Sequence, residues 1–154
     1  MLGEINLKTL IIYESIHHGN TEKIGKIMAE SLNADIIRTK DIDINTLNKY
    51  DLIGFGSGIY YSKLHKNILN LVDSISTLLN KKVFVFSTSG QGKVKYNKLV
   101  EKKLREKNFD VIGSFACKGY DTFGPFKLLG GIAKGRPNDN DLKKAKDFAE
   151  HLII

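Results

Sequence analysis

Residues 8–21, KTLIIYESIHHGNT, are the stretch that decides the fold. The run from Lys8 to Tyr13 is rich in β-branched side chains and is typical of a strand buried on both faces. Apolar residues then recur at helical spacing from Thr21 to Leu32, so a short loop carries a buried strand directly into a helix. A strand followed at once by an amphipathic helix indicates the first unit of a parallel α/β protein.

The same alternation continues to the end of the chain. Further strands are predicted at 34–38, 51–57, 82–87 and 110–117, and further helices at 65–79, 96–106 and 140–154. This pattern predicts an α/β fold, a three-layer sandwich around a five-stranded parallel sheet. Because no internal repeat or linker interrupts it, we expect one domain over 1–154. The long 118–139 loop holds five apolar residues (Phe123, Phe126, Leu128, Leu129 and Ile132), so we expect it to be packed.

The composition is that of a globular protein. The chain has 154 residues, of which 42% are hydrophobic and 27% charged. No apolar run approaches the ~18 residues that cross a bilayer, and the first residues lack the features of a signal peptide. We therefore expect no membrane insertion and a cytoplasmic location. The single cysteine, Cys117, excludes an internal disulfide and a cysteine-cluster metal site, and we predict no metal.

The net charge is unusual, at +7 from 24 Lys and Arg against 17 Asp and Glu. Nucleic acid, anionic lipid or an acidic protein partner would each account for it. The lysines are scattered along helices and turns, and neither an RNA-binding aromatic signature nor a helix-turn-helix pattern accompanies them. Nucleic acid binding is therefore disfavoured, and a solvated basic surface is the simpler interpretation.

The loop after the first strand carries the clearest binding chemistry. Ligands of open α/β sheets lie beyond the carboxyl ends of the strands. Backbone N–H groups at a helix N-terminus suit a phosphate, and Gly19 permits close approach of the backbone. The alternative is that Asn20 or Thr21 merely caps the helix. The candidate phosphate-binding residues are Ser15, Ile16, His17, His18, Gly19, Asn20 and Thr21.

A buried strand, hydroxyl-bearing residues and then Gly19-Asn20-Thr21-Glu22 resemble the FMN phosphate loop of the flavodoxin family. Flavodoxin itself is a standard example of a ligand at the carboxyl ends of such a sheet. The strand pattern extends the resemblance across almost the whole chain. The resemblance implies a flavodoxin-like sheet of order 2-1-3-4-5, noncovalently bound FMN at the ends of strands 1, 3 and 4, and electron transfer to redox partner proteins.

The resemblance also assigns roles to two further loops. The second comprises Ser57, Gly58, Ile59, Tyr60 and Tyr61, and the third Ser87, Thr88, Ser89, Gly90 and Gly92. Aligned without gaps, Tyr60 falls on the aromatic position that covers one flavin face in the family, whereas Tyr96 lies too far along to cover the other. Hydroxyls and glycine N–H groups of the third loop suit the polar edge of the ring. Because the flavin supplies the redox chemistry, we predict no catalytic side chain.

Three features depart from the family pattern. His17 and His18 replace residues that are commonly hydroxylic, and Ser15 lies one position further from Gly19 than in many flavodoxins. That spacing is similar to the menaquinone-dependent protoporphyrinogen oxidases, as is part of the loop from Tyr60 to His65. Flavodoxins are also usually acidic. An FMN-dependent oxidoreductase acting on a quinone or porphyrinogen-like substrate is therefore the alternative to an electron carrier, and whether the chain is an enzyme stays open.

The resemblance assigns no role to Cys117, Asp121 or Thr122. Cys117 ends the fifth predicted strand, where inert packing is the simpler expectation. The sequence leaves open whether Asp121 and Thr122 approach the flavin edge.

Overall fold

Most of the apolar run at residues 8–13 forms an inner strand of a parallel sheet in the computed structural model, which describes residues 7–16, 18–76, 80–122 and 130–153. The strands are β1 (Thr9–Glu14), β2 (Asp35–Arg38), β3 (Leu52–Tyr60), β4 (Lys63–Leu64), β5 (Lys82–Ser89) and β6 (Asp110–Lys118). Five of them pair in parallel in the order β2-β1-β3-β5-β6, and β4 pairs antiparallel with β3. Counting parallel strands only, this is the predicted order 2-1-3-4-5.

Helices cover both faces of the sheet. They are α1 (Asn20–Leu32), α2 (Lys66–Ser74), α3 (Lys98–Glu106) and α4 (Asp139–Leu152), and short 3-10 helices span 39–41, 44–49 and 94–97. Buried side chains of α1 and α4 form one core, and those of α2 and α3 form the other. The three-layer α/β sandwich is therefore confirmed. Within the described ranges, no helix is both long and apolar enough to cross a membrane.

Strand alternation sends neighbouring residues of β5 into different cores. Val85 joins the core under α2 and α3, whereas Phe84 and Phe86 join the core under α1 and α4. Each of these two phenyl rings packs over a glycine of β3. A Cβ on Gly54 would lie 2.3 Å from the Phe84 ring, and one on Gly56 would lie 2.2 Å from the Phe86 ring. Alternating glycines in β3 therefore make the room that these two rings occupy.

Several element boundaries differ from the sequence expectation. The helix predicted over 65–79 ends at Ser74, because Ile75 adopts extended backbone angles; residues 77–79 lie outside the described ranges. The helix predicted from 96 begins instead with the 3-10 turn at 94–97. In the 118–139 loop, Ile132 pairs with Asp121 as an isolated antiparallel bridge. The other four apolar residues of that loop, within 123–129, lie outside the described ranges.

The β3–β4 hairpin was not predicted. β3 runs to Tyr60, three residues beyond the predicted end, and the chain reverses through Tyr61 and Ser62. The candidate residues Ser57 to Tyr60 and Ser87 to Ser89 therefore lie at the ends of strands rather than in loops. Strand geometry consequently decides on which face of the sheet each of them lies.

Candidate functional site

The turn between β1 and α1 brings a helix N-terminus to the carboxyl edge of the sheet. His18 (φ 57°) and Gly19 (φ 66°) are consecutive residues in the left-handed region, and α1 begins at the next residue. Gly19 is the N-cap and offers no side-chain hydrogen bond to the helix. A Cβ added to Gly19 would meet only Glu22 Oε2 within 4 Å, at 3.8 Å, so this side of the turn is open.

The side chains of the first helical turn connect α1 to neighbouring loops and do not cap it. Asn20 Nδ2 donates to the carbonyl of Tyr120 at 2.8 Å. Thr21 Oγ1 shares a 2.8 Å hydrogen bond with Thr88 Oγ1, and both residues are buried. The alternative that Asn20 or Thr21 merely caps the helix is therefore wrong. Two hydroxyls carry two hydrogens and their mutual bond uses one, so the second is available to a group in the site.

Two adjoining clefts open at this edge. The first, the helix-end cleft, is a solvent-open space of about 360 Å³ lined by Ser15, Ile16, Asn20, Thr21, Gly58, Ile59, Tyr60, Thr88, Ser89, Gly119, Tyr120 and Asp121. The second, the tyrosine cleft, is a solvent-open space of about 540 Å³ lined by Ile59, Tyr61, Ser62, Ser89, Gly90, Gln91, Tyr96 and Asp121. Ile59, Ser89 and Asp121 line both clefts. The two therefore form one groove across the carboxyl ends of β1, β3 and β5.

The structure brings most of the predicted binding residues to this groove. Those that line it are Ser15, Ile16, Asn20, Thr21, Gly58, Ile59, Tyr60, Tyr61, Thr88, Ser89 and Gly90. His18 lies beside it, with Nε2 3.1 Å from Thr122 Oγ1 and its ring centroid 4.4 Å from that of Tyr120. Ser15 Oγ accepts from the Glu22 N–H at 3.4 Å, which bridges the two ends of the first loop. His17 lies outside the described residues.

Gly19 adjoins the groove through its turn but lines neither cleft, and three further predicted residues, Ser57, Ser87 and Gly92, are not brought to the groove. Ser57 Oγ accepts from the His65 N–H at 2.9 Å and donates to the Gly58 carbonyl at 2.7 Å, so it holds the hairpin against α2. Ser87 pairs in register with Ser57, and its buried Oγ has no hydrogen-bond partner within the described part of the chain. Both are turned by strand alternation into the layer beneath α2 and α3. Gly92 (φ 63°) closes a turn by donating its N–H to Ser89 Oγ at 2.8 Å.

The adjacent residues Tyr60 and Tyr61 line different clefts. Tyr60 is half-buried and contacts the His65 ring edge-on, with centroids 5.1 Å apart and planes at 89°. Burial, and then the carboxylates of Asp121 and Glu14, raise the pKa of the Tyr60 phenol. Tyr61 is 84% exposed and lines the tyrosine cleft. The structure therefore places the two tyrosines, of which the resemblance assigns only Tyr60 to a flavin face, in different clefts.

Two further groups of residues line the groove that were not predicted from the sequence. Gly119 and Tyr120 line the helix-end cleft, and the Tyr120 N–H donates to the Arg136 carbonyl at 2.8 Å. Tyr96 lies closer than its sequence position suggested, because the 3-10 turn directs it back to the tyrosine cleft, where its hydroxyl donates to Gln91 Oε1. Neither group follows a sequence pattern, since both depend on how a loop folds back over the sheet.

An ion pair behind Tyr120 secures the loop that follows β6. Arg136 Nε and Nη2 donate to the two Asp141 oxygens at 2.5 and 2.6 Å. Asp141 is buried at the start of α4, and Asn138 completes a capping box with it. The bond from Arg136 holds the pKa of the Asp141 carboxyl below its usual range. Nearby, burial raises the pKa of the Cys117 thiol to about 12, which favours the inert packing expected for it.

The fold and the groove define an open α/β domain with its ligand site at the carboxyl ends of the strands. The flavodoxin domain family model matches residues 10–123, and the chain belongs to this family. An uncharacterised protein of Methanocaldococcus jannaschii is 50% identical over 149 residues, covering 96% of this chain and 99% of that protein.

Solved structures show the same fold at low sequence identity. A flavodoxin from the domain Archaea has a TM-score of 0.74 and 18% identity, with 96% of each chain covered. Oxidised flavodoxin 1 from Bacillus cereus has a TM-score of 0.70 and 21% identity, covering 95% of this chain and 97% of that one. Two-electron reduced Megasphaera elsdenii flavodoxin has a TM-score of 0.66 and 16% identity, covering 94% and 98%.

Proposed function

We propose that the chain binds FMN noncovalently in the groove and transfers electrons to redox partner proteins. The observation that carries this proposal is the N-terminus of α1, which opens beside a turn of two left-handed residues onto a groove lined with hydroxyls. The partial positive charge and N–H groups of a helix N-terminus favour a phosphate. Membership of the flavodoxin domain family supports a flavin as the group that carries this phosphate.

The residues in and beside the groove suit the phosphate, the ring and the connecting chain of FMN. Gly19, Asn20 and Thr21 would present backbone N–H groups to the phosphate, and the Thr21–Thr88 pair would add the hydroxyl hydrogen that its own bond leaves over. Tyr60, Tyr61 and the residues shared by the two clefts would hold the ring and its chain. The flavin, when bound, supplies the redox chemistry. The protein binds it, orients it and excludes water from its inner side.

One carboxylate close to the proposed phosphate position is neutralised by its own contacts. Glu22 follows Thr21 on α1 and accepts from the Tyr13 hydroxyl at 3.0 Å. Lys26 and Arg38 lie 3.5 and 3.7 Å from the same Glu22 oxygen. The Tyr13 hydrogen bond lowers the pKa of Glu22, so the carboxylate is charged at neutral pH. Because two cations offset this charge, it opposes a bound phosphate less than an isolated carboxylate would.

We further propose a cytoplasmic location, with which the free and buried Cys117 is consistent.

A second candidate is an FMN-dependent oxidoreductase that acts on a quinone or porphyrinogen-like substrate. The observation that favours it is the size of the tyrosine cleft, about 540 Å³, which exceeds that of the helix-end cleft. A planar aromatic substrate beside Tyr61 and Tyr96 would explain this extra space.

Absorption spectroscopy of the purified protein tests the main proposal. We expect flavin bands in the protein as isolated, and FMN binding to the flavin-free protein at least about tenfold tighter than riboflavin, which lacks the phosphate. Failure to bind either flavin would reject the proposal. Rapid turnover with menadione or a porphyrinogen, at rates above those of non-specific flavin reduction, would favour the enzyme.

A further inference from the structure

Lysines that make no ion pair with any described residue border the groove. Lys63, Lys66, Lys93, Lys95 and Lys118 are exposed at the carboxyl ends of β3, β5 and β6. Across the described ranges, none of the five makes an ion pair, whereas Lys103 on α3 binds Asp73 at 2.8 Å. The Lys107 ammonium likewise donates to the carbonyls of Asp73 and Ile75. Lys95 lies 5.8 Å from the centre of the Tyr96 ring. The other four lysines contribute charge to this face without an ion pair or ring contact among the described residues.

Apolar side chains lie among these lysines. Ile16, Tyr61 and Val94 are 53%, 84% and 50% exposed. They follow β1, β3 and β5, which are consecutive neighbours in the sheet. Because neighbouring strands lie about 4.8 Å apart, the three loops sit side by side. An apolar centre with a charged border is the usual composition of a transient protein interface.

Acidic groups at this edge do not balance the lysines. Glu14 is half-buried, and its carboxylate accepts from the Thr39 hydroxyl and from Asn67 Nδ2. Asp121 is half-buried in the wall that the two clefts share. Both carboxylates therefore lie within the groove and its supports, and the surrounding surface is basic.

We infer that this lysine-bordered face, defined by Ile16, Tyr61, Val94 and the five lysines, docks a small acidic redox protein. The inference rests on the proposed function, since it places the partner where the flavin edge would be reached. Opposite charge steers such a partner to the groove and orients it, while the apolar side chains provide close contact. Protein is favoured over nucleic acid because nucleic acid interfaces are more polar than this centre.

Binding to two probes of opposite charge tests the inference. The purified protein, with its flavin content measured by absorbance, is titrated with an acidic plant-type ferredoxin and with basic mitochondrial cytochrome c, and amide shifts are followed by NMR. We expect ferredoxin to bind at least about tenfold tighter at low salt and to lose this preference near 300 mM salt. The amide shifts should lie in the loops after β1, β3 and β5.

A matched pair of variants separates local from total charge. Lys63→Glu/Lys93→Glu should weaken ferredoxin binding at least about tenfold, whereas Lys49→Glu/Lys143→Glu, two exposed lysines elsewhere, should change it less than about threefold. Equal losses in both variants, or preference for cytochrome c, would overturn the inference. So would a short DNA duplex that displaces ferredoxin and shows the same lysine dependence. Protein that lacks flavin would contradict the proposed function, yet the docking measurement would still report on this face.

Discussion

The two clefts of the groove are built in different ways. In the helix-end cleft, hydrogen bonds connect the start of α1 to remote parts of the chain: the Asn20 side chain to the Tyr120 carbonyl, and the Thr21 hydroxyl to that of Thr88 on β5. The tyrosine cleft is lined by the ends of β3 and β5 and by the turns that follow them, and Tyr61 is largely exposed. The comparison indicates that one end of the groove is preorganised for a fixed group, whereas the other can adjust to what it contacts.

The turn at the tyrosine cleft has two successive non-glycine residues with positive φ, whereas the turn at the helix-end cleft has one, His18. Tyr61 (φ 53°) and Ser62 (φ 65°) are the two central residues of the β3–β4 hairpin turn. Positive φ at both positions is the type I′ arrangement, which favours Asn-Gly. A tyrosine and a serine there cost of order 1 kcal/mol each or more, and such strain is found preferentially at functional sites. We therefore expect the helix-end cleft to determine affinity and the hairpin turn to be the adaptable part.

The largest expected effect comes from the ion pair behind Tyr120. Asp141→Asn should destabilise the fold by about 2–4 kcal/mol at pH 7, because it removes a buried carboxylate that accepts two hydrogen bonds from the half-buried Arg136. The folded-state pKa of Asp141 lies below its unfolded value. Its contribution is therefore complete above about pH 4 and is lost as the pH falls through the folded pKa.

Urea denaturation at pH 7 and at pH 3 measures this effect. The difference between the wild type and Asp141→Asn should shrink at the lower pH. A constant difference would mean that Asp141 acts by packing and capping rather than by its charge. Asp147→Asn, an exposed position on the same helix, is the control.

The next largest effect is a loss of FMN affinity on substitution of a residue in the helix-end cleft. Thr21→Ala should weaken FMN binding by about 1–3 kcal/mol, because a charged group loses a buried hydroxyl partner. Riboflavin binding should weaken far less, and Thr21→Ser, which keeps the hydroxyl, should bind FMN almost as the wild type does. Fluorescence titration with both flavins measures the effect. Equal losses for FMN and riboflavin would reject the assignment of the phosphate to this end.

A smaller effect distinguishes the two tyrosines. Tyr60→Ala should weaken FMN and riboflavin alike by about 1 kcal/mol and raise flavin fluorescence, because the ring loses a stacking partner. Tyr61→Ala should do less. Flavin fluorescence in both variants provides the measurement. The reverse ranking would show that Tyr61, in the tyrosine cleft, covers the ring.

The smallest effect relieves the strained turn. Tyr61→Asn/Ser62→Gly should stabilise the protein by about 0.5–1 kcal/mol, because both new residues tolerate positive φ. Tyr61→Asn/Ser62→Ala, which retains a Cβ at the second position, should recover less of that gain. Thermal unfolding monitored by circular dichroism compares the two. Equal stability of the two variants would mean that Ser62 is not strained.

Local chemistry was enough to predict most of the fold. The run at 8–13 and the helical spacing that follows it determine a buried strand and its crossover helix, because period and side-chain shape act within one element. The short hairpin strand Lys63–Leu64 was missed, since two residues carry no period. The helix predicted to residue 79 was too long, because its apolar spacing persists where Ile75 is already extended.

The candidate site, like the fold, was predictable only in part. The place of Gly19 was predictable, because a tight strand-to-helix turn favours a residue that tolerates positive φ. Tertiary structure alone decided that Ser57 and Ser87 lie in the opposite layer and that Tyr120 and Tyr96 reach the groove. The physical reason is distance along the chain. Loops that close over a sheet are placed by contacts between remote residues, such as Asn20 with Tyr120, and no local pattern encodes those contacts.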